Sequence, residues 1–496
     1  MNGEERLRFI EPDGSNREEV RQLGYRFIDL IVEAEANAAS RPPVPDANDD
    51  TDPVPPGYAP PAEGRSAAEL IDLLKGRILD HVLNPAHPGY VGHMDSLASA
   101  IGTFSDALVS AFNNNMLSYE MSLVFTRMER TVLDWAMRRF GWETDEHRRG
   151  FLVSGGTLAN IQAVWVARNA RVGGRIAENG IDQAAERPVL IASENAHYSF
   201  LKAANLLGLG RSGLRSVATD ASGRVDPGRV EEAIERARRE KMKPFCLVGV
   251  AGTTITGTIE PLADLAAIAH RNGMWFHVDA AYGGSLVMAD GLRERLHGCE
   301  AADSITWNPQ KWLYVPKTCA SILFRDGRVL EDTVREPFIY GRENGKGEHP
   351  NLGEYTIQGT RRVDVLKFWL TLEHFGTRYL EDLITEHIER ARWLAEQIAG
   401  TPGLELVTAP DLSIVCFRVI PEGMDRETNG ERLDEIQVAV QREVARRGRG
   451  WLSLPTYRGR RVLRAVILHP RCDRDVLRRL LDDVQDAAGA ARAGQI

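Results

Sequence analysis

The chain has 496 residues, 43% of them hydrophobic and 26% charged, with a formal net charge of −9 at pH 7. That length exceeds one ordinary domain and supports a large buried core. The acidic balance and the lack of any Lys/Arg block speak against a nucleic-acid partner or a lipid surface.

The five scattered cysteines (Cys246, Cys299, Cys319, Cys416 and Cys472) show no CxxC spacing. Reduced thiols are therefore expected, rather than a disulfide framework or a metal centre. The first residues are charged with no apolar signal segment, and no apolar run reaches membrane-span length, so a cytoplasmic protein is expected.

In chain order, residues 17–38 have Val20, Leu23, Phe27, Leu30 and Ile31 at helical spacing. A Pro-rich stretch follows, from Arg41 to Pro61. It is either a flexible linker or an extended arm that lets the first helix pack on a partner subunit. From about Gly150, short apolar runs at 151–153, 189–192, 245–250, 274–278 and 320–324 alternate with helical patterns near 157–172, 198–208, 228–240 and 261–272. That alternation predicts an α/β domain with a mostly parallel sheet covered on both faces. Ligands of such sheets bind beyond the carboxyl ends of the strands, here at Val153, Val250, Val278 and Trp307. After about Thr377 the pattern becomes a smaller α+β domain. The expected division is a helical segment with its arm at 1–100, a large domain at 101–376 and a small domain at 377–496.

The chemistry-bearing residues cluster at those strand ends. Asp279 closes the run His277-Val-Asp279-Ala-Ala281, and Lys311 follows the run ending Trp307-Asn308-Pro-Gln310. Such a pair suits pyridoxal phosphate. The amine condenses with the cofactor aldehyde, and the carboxylate keeps the pyridine nitrogen protonated so that the ring accepts electrons. Each feature also has a plain alternative: most lysines are solvated, and an aspartate before two alanines can be a helix cap. Ser154-Gly155-Gly156-Thr157 is a phosphate cradle at a helix N-terminus or simply a strand-to-helix turn. His197 and Thr254 lie just past strands, where a flat ring or a polar edge would meet them.

Further blocks carry a resemblance: His87-Pro-Gly-Tyr90, Asn114-Asn-Met-Leu-Ser-Tyr119, and Gln358-Gly-Thr-Arg361-Arg-Val-Asp-Val-Leu-Lys-Phe-Trp. With the motifs above, the chain from about residue 20 onward resembles the group II pyridoxal-phosphate-dependent amino-acid decarboxylases. Within them it is similar to the glutamate, cysteine sulfinate and aspartate decarboxylase branch. The resemblance implies fold type I and pyridoxal 5'-phosphate bound at Lys311. It implies Asp279 at the pyridine nitrogen, His197 stacked on one ring face and Ala281 on the other. Thr254 would contact the cofactor, and Gly156, Thr157 and Asn308 would lie around the phosphate. Arg361 would pair with a substrate carboxylate, and Tyr340 on a mobile loop would return a proton to Cα after CO2 leaves. It further implies a homodimer with active sites at the subunit interface. Gln310 stands where histidine is usual, and His93 where glutamate-type enzymes carry a glutamine near the substrate.

The expected reaction is α-decarboxylation of a small acidic L-amino acid. The alternatives are an aromatic substrate, aldehyde formation or transamination on the same cofactor, and a catalytically silent regulatory homologue.

Overall fold

The computed structural model describes residues 9–45, 57–143, 149–173, 175–337, 350–424 and 428–492. They sort into two compact units, each drawn from separate stretches of chain. The larger comprises Met94–Arg418 and Arg464–Leu468; the smaller comprises Met1–His93, Val419–Leu463 and His469–Ile496.

The larger unit is organised by a seven-stranded sheet of β1 (Arg149–Val153), β2 (Arg187–Ser193), β3 (Leu214–Val217), β4 (Met242–Val250), β5 (Trp275–Asp279), β6 (Ser304–Trp307) and β7 (Ala320–Phe324). Their order is β1-β7-β6-β5-β4-β2-β3. β7 runs antiparallel to both its neighbours, while the pairings among β2 to β6 are all parallel. The mostly parallel sheet anticipated from the alternation is therefore present. Its connecting helices are Gly156–Arg171, Ser199–Leu206, Pro227–Arg239 and Leu262–Arg271, close to the predicted spans.

Local chemistry sets these boundaries. Pro227 opens its helix with φ already helical, and the Asp226 carboxylate accepts from the amides of Gly228 (2.7 Å) and Arg229. β4 and β5 are buried along nearly their whole length, as strands covered on both faces must be. The edge strand β3 was not anticipated, because Arg215 and Ser216 interrupt its apolar run. The helix Asp364–Gly400 breaks at Gly376, whose φ of 69° belongs to the left-handed region. A second sheet has Ile414–Val419 between Leu404–Thr408 and Leu463–Val466.

In the smaller unit lie the helices Arg17–Ala36, Ala67–Leu73, Gly430–Arg446 and Arg474–Arg492. Ser66 and Glu69 form a reciprocal capping box at the second of these. The block around Tyr90 packs on Trp451, their ring centroids 5.3 Å apart. A Cβ at Gly92 would stand 2.1 Å from the same indole, so a side chain there would displace it. No helix among the described residues is long and apolar enough to cross a membrane.

Candidate active site

Parallel pairing brings the carboxyl ends of β2, β4, β5 and β6 to one edge of the sheet, and Asp279 is the last residue of β5. In register it lies between Val250 of β4 and Thr306 of β6. Its carboxylate is 5% exposed. A buried carboxylate needs donors. Oδ1 accepts from the Ala281 amide at 3.1 Å, and Oδ2 from the Asn160 side-chain amide at 2.8 Å. The Ala281 bond accounts for the turn after β5.

Lys311 sits in the short helix Pro309–Trp312, one turn after β6. Its Nζ lies 3.7 Å from Met94 Sδ and 6.0 Å from the centre of the Tyr282 ring. Among the described residues it has no ion pair. Burial pushes its ammonium pKa below the ordinary lysine value; Asp279 and Asp95 oppose that shift, and Arg464 adds to it. A rigid aromatic wall backs this position. Tyr282 stacks on Trp312 at 4.7 Å with the rings 6° from parallel, and Trp312 donates to His387 Nδ1 at 3.1 Å.

His197 belongs to the same electrostatic group. Burial lowers its pKa, partly countered by Asp279, while the Lys311 charge lowers it further. Its Nδ1 accepts the Ser199 amide at 3.3 Å, so the neutral ring carries its proton on Nε2. The Thr254 carbonyl accepts from Arg464 Nη1 at 2.6 Å. At the Gly156–Arg171 helix start, a Cβ on Gly156 would come within 2.7 Å of Asn308 Nδ2, so the loop and Asn308 approach as closely as glycine permits. Ser154 is held from its other side by Gln358, which accepts the Ser154 amide at 3.1 Å and donates to its hydroxyl at 2.7 Å.

These features fit pyridoxal phosphate. Asn308 Oδ1 is buried without a partner beside a helix N-terminus. Lys311 has no ion pair among the described residues, burial lowers its pKa, and a buried carboxylate stands within its electrostatic reach. A phosphate, an aldehyde and a protonated ring nitrogen are the complementary groups.

Other expected site residues are placed differently. Arg361 is 3% exposed, and its guanidinium is occupied by Glu129 at 2.5 Å and the Leu152 carbonyl at 2.7 Å. These bonds engage Nη2, while Nε is buried without a hydrogen-bond partner among the described residues. His93 belongs to the smaller unit, edge-on to Trp451 at 4.9 Å. Thr157 and Ala281 are half-buried at their strand ends. Tyr340 lies outside the described residues. Gln310 accepts the Cys319 amide at 2.6 Å, so in this chain the position before the lysine braces the entry to β7.

Three contributors escaped the sequence reading. Asn160 and Gln358 are polar residues whose partners lie far along the chain, although Asn160 betrayed itself as one amide in an otherwise apolar helix face. Arg464, 5% exposed, sits within a strand that reads as plain core.

Residues 59–420 match the family model described as the pyridoxal-dependent decarboxylase conserved domain. The chain belongs to the pyridoxal-dependent decarboxylases. This decarboxylase is 30% identical over 465 residues to aspartate 1-decarboxylase of Aliivibrio fischeri, covering 86% of this chain and 84% of that one. It is 29% identical over 430 residues to acidic amino acid decarboxylase GADL1 of Xenopus tropicalis, covering 85% and 83%. The crystal structure of mouse CSAD superposes with a TM-score of 0.87 at 26% identity, covering 95% of this chain and 98% of that one. The decarboxylase thus has the fold type I α/β architecture, uses pyridoxal 5'-phosphate and is a carboxy-lyase acting on an amino acid.

Proposed function

We propose that this decarboxylase converts a small acidic L-amino acid (aspartate, glutamate or cysteine sulfinate) to its amine and CO2. The observation that carries this reading is the position of Arg464, which holds the Thr254 carbonyl and whose charge is felt by Lys311. A buried guanidinium next to the reactive lysine suits a carboxylate and disfavours a purely apolar side chain. In this reading Arg361 and Arg464 are the two guanidinium groups available to the substrate's carboxylates. The relatives' names, aspartate 1-decarboxylase and acidic amino acid decarboxylase, lend further support.

Bound pyridoxal phosphate supplies an aldehyde for amine condensation and a ring that accepts the electrons released as CO2 departs. Lys311, whose ammonium pKa is lowered by burial, offers the amine as nucleophile. Asp279 is the carboxylate that would hold a proton on the ring nitrogen. His197 offers a flat neutral face, with Ala281 opposite, and Thr254 lines the ring edge. Gly156, Thr157 and Asn308 hold the phosphate. Tyr340 supplies the proton that replaces CO2 at Cα, and His93 belongs to the substrate end of the pocket. The cofactor lobe is assigned to residues 101–376, the small domain to 377–496 and the helical arm to 1–100.

We further propose a cytoplasmic homodimer with the Tyr340 loop reaching across the interface. Support comes from apolar side chains left open on the helix Arg17–Ala36, where Tyr25 is 51% and Val32 50% exposed, and from Phe112, Leu123 and Val124 of the larger unit.

Competition assays with amine-product detection test the substrate class. An acidic amino acid should exceed L-tyrosine and L-tryptophan in kcat/KM. An aromatic amino acid consumed faster than every acidic one overturns the acidic reading and leaves the decarboxylase intact. Tyr340→Phe should bind cofactor normally yet release amine slowly with some aldehyde. Unchanged rate and product ratio would move the proton donor elsewhere.

A further inference from the structure

We infer that Asn160 and His277 are positioning residues for Asp279: a buried chain of donors from Trp275 through Ser304, His277 and Asn160 ends on its carboxylate. This inference rests on the reading of Asp279 as the ring-nitrogen partner.

The geometry begins with strand alternation. Trp275, His277 and Asp279 are every second residue of β5 and share one face of the sheet. Ser304 is the register partner of His277 on β6, and Asn160 reaches the same face from the helix Gly156–Arg171. All five residues are buried, with Ser304 and His277 fully so.

Their hydrogen bonds admit one consistent assignment. Trp275 Nε1 can only donate, and it lies 2.8 Å from Ser304 Oγ. Ser304 then directs its hydrogen to His277 Nδ1 at 2.9 Å. The neutral imidazole therefore carries its proton on Nε2, which donates to Asn160 Oδ1 at 3.1 Å. With that oxygen engaged, both Asn160 Nδ2 hydrogens point outward, one to Ser199 Oγ at 2.9 Å and one to Asp279 Oδ2 at 2.8 Å. The opposite imidazole tautomer sets a bare nitrogen against the Asn160 oxygen. Reversing the Asn160 amide would aim its oxygen at the Asp279 carboxylate. Burial holds the His277 pKa down to about 4, so the ring stays neutral through the neutral range.

Each link fixes the orientation of the next, and the last dipole points its hydrogen at an anion. The chain thereby selects the rotamer of the Asp279 carboxylate and aims a donor at it. None of these residues needs to touch substrate or cofactor.

The test uses full-length apoprotein titrated with pyridoxal 5'-phosphate, followed by the visible absorption of the bound cofactor and its pH midpoint. Asn160→Ala and His277→Leu should each weaken cofactor affinity by about 10–100-fold, the size seen for outer partners of metal ligands. They should also raise the pH midpoint, because a ring nitrogen that loses its proton no longer opposes protonation at the lysine-linked nitrogen. His277→Gln, which keeps an N–H able to reach Asn160, should recover most of both effects. Asp279→Asn is the benchmark. If it is weakened while Asn160→Ala and His277→Leu match wild type, the relay is overturned. If Asp279→Asn itself binds like wild type, the assignment of Asp279 falls first. A lowered melting temperature with unmoved affinity and midpoint would reduce the relay to core packing and overturn the inference. Should Asn160→Ala or His277→Leu not fold, Ser304→Ala removes a single hydroxyl and should move the midpoint in the same direction; no movement overturns the inference.

Discussion

Lys311 and Lys367 are both followed by an aromatic residue, the first half-buried and the second fully buried, yet the protein treats them oppositely. Lys367 is 0% exposed and its Nζ lies 3.0 Å from Asp364 and 3.1 Å from Asp106, with Arg362 sharing both carboxylates. Lys311 has a thioether and an aromatic face for neighbours and no ion pair among the described residues. A compensated ammonium ties a helix to its surroundings. An uncompensated one is under pressure to shed its proton. Chemical availability here follows from the lack of a partner, and burial alone does not confer it.

That contrast can be broken most directly at Lys311. Lys311→Ala should abolish turnover and the visible absorption of attached cofactor, while the apoprotein stays folded because no ion pair is lost. Normal turnover with cofactor still covalently held would end the assignment. Next in size, Asp279→Asn should lower activity by several orders of magnitude in a folded protein, since asparagine cannot stabilise a charged ring nitrogen. A loss under about tenfold, roughly 1.4 kcal/mol of barrier, would mark Asp279 as a turn cap.

Lys367→Met supplies the other half of the contrast. It leaves buried carboxylates short of a cation and should cost about 3–5 kcal/mol of stability in denaturant titration. The kcat of whatever remains folded should stay near wild type. A catalytic loss without destabilisation would erase the distinction between the two lysines.

The smallest effect is a pH dependence. The Lys311 pKa is depressed in the folded protein, so between that value and the ordinary lysine value the unfolded chain binds the extra proton. Stability should therefore rise with pH across this window, and fall as pH drops through it. Comparing apo wild type with Lys311→Met by thermal melts at several pH values isolates the slope. Identical slopes would show that Lys311 is solvated after all.

What the sequence disclosed follows the same division. That Lys311, Asp279 and His197 lie at or just past strand ends was legible, because a parallel sheet gathers such ends at one edge. The β2, β4, β5 and β7 runs were legible by their apolar character, and β3 was not, because an edge strand needs less apolar surface. The pairing of Arg361 with Glu129, on the helix Leu123–Arg139, was not legible, because the identity of a guanidinium does not reveal a partner brought in from a distant segment. Arg464 was missed because Val462-Leu-Arg-Ala-Val-Ile467 reads as core. Partners contributed from distant segments are fixed by tertiary packing, and spacing along the chain carries no trace of them.

The double bond between Gln358 and Ser154 has a consequence for how natural variants of this chain would be interpreted. Position 358 is only half-buried and lies 204 residues from the loop it grips. Only an amide offers an acceptor and a donor at the same reach. Glutamate would set an anion against the Ser154 amide loop and lose the donor, and leucine would release both contacts. A clinician or breeder scoring such a change by exposure would file it as a harmless surface exchange. Its signature would instead be a vitamin-responsive defect, with activity restored by raising cofactor concentration, because the loosened part is the loop proposed to hold the cofactor phosphate.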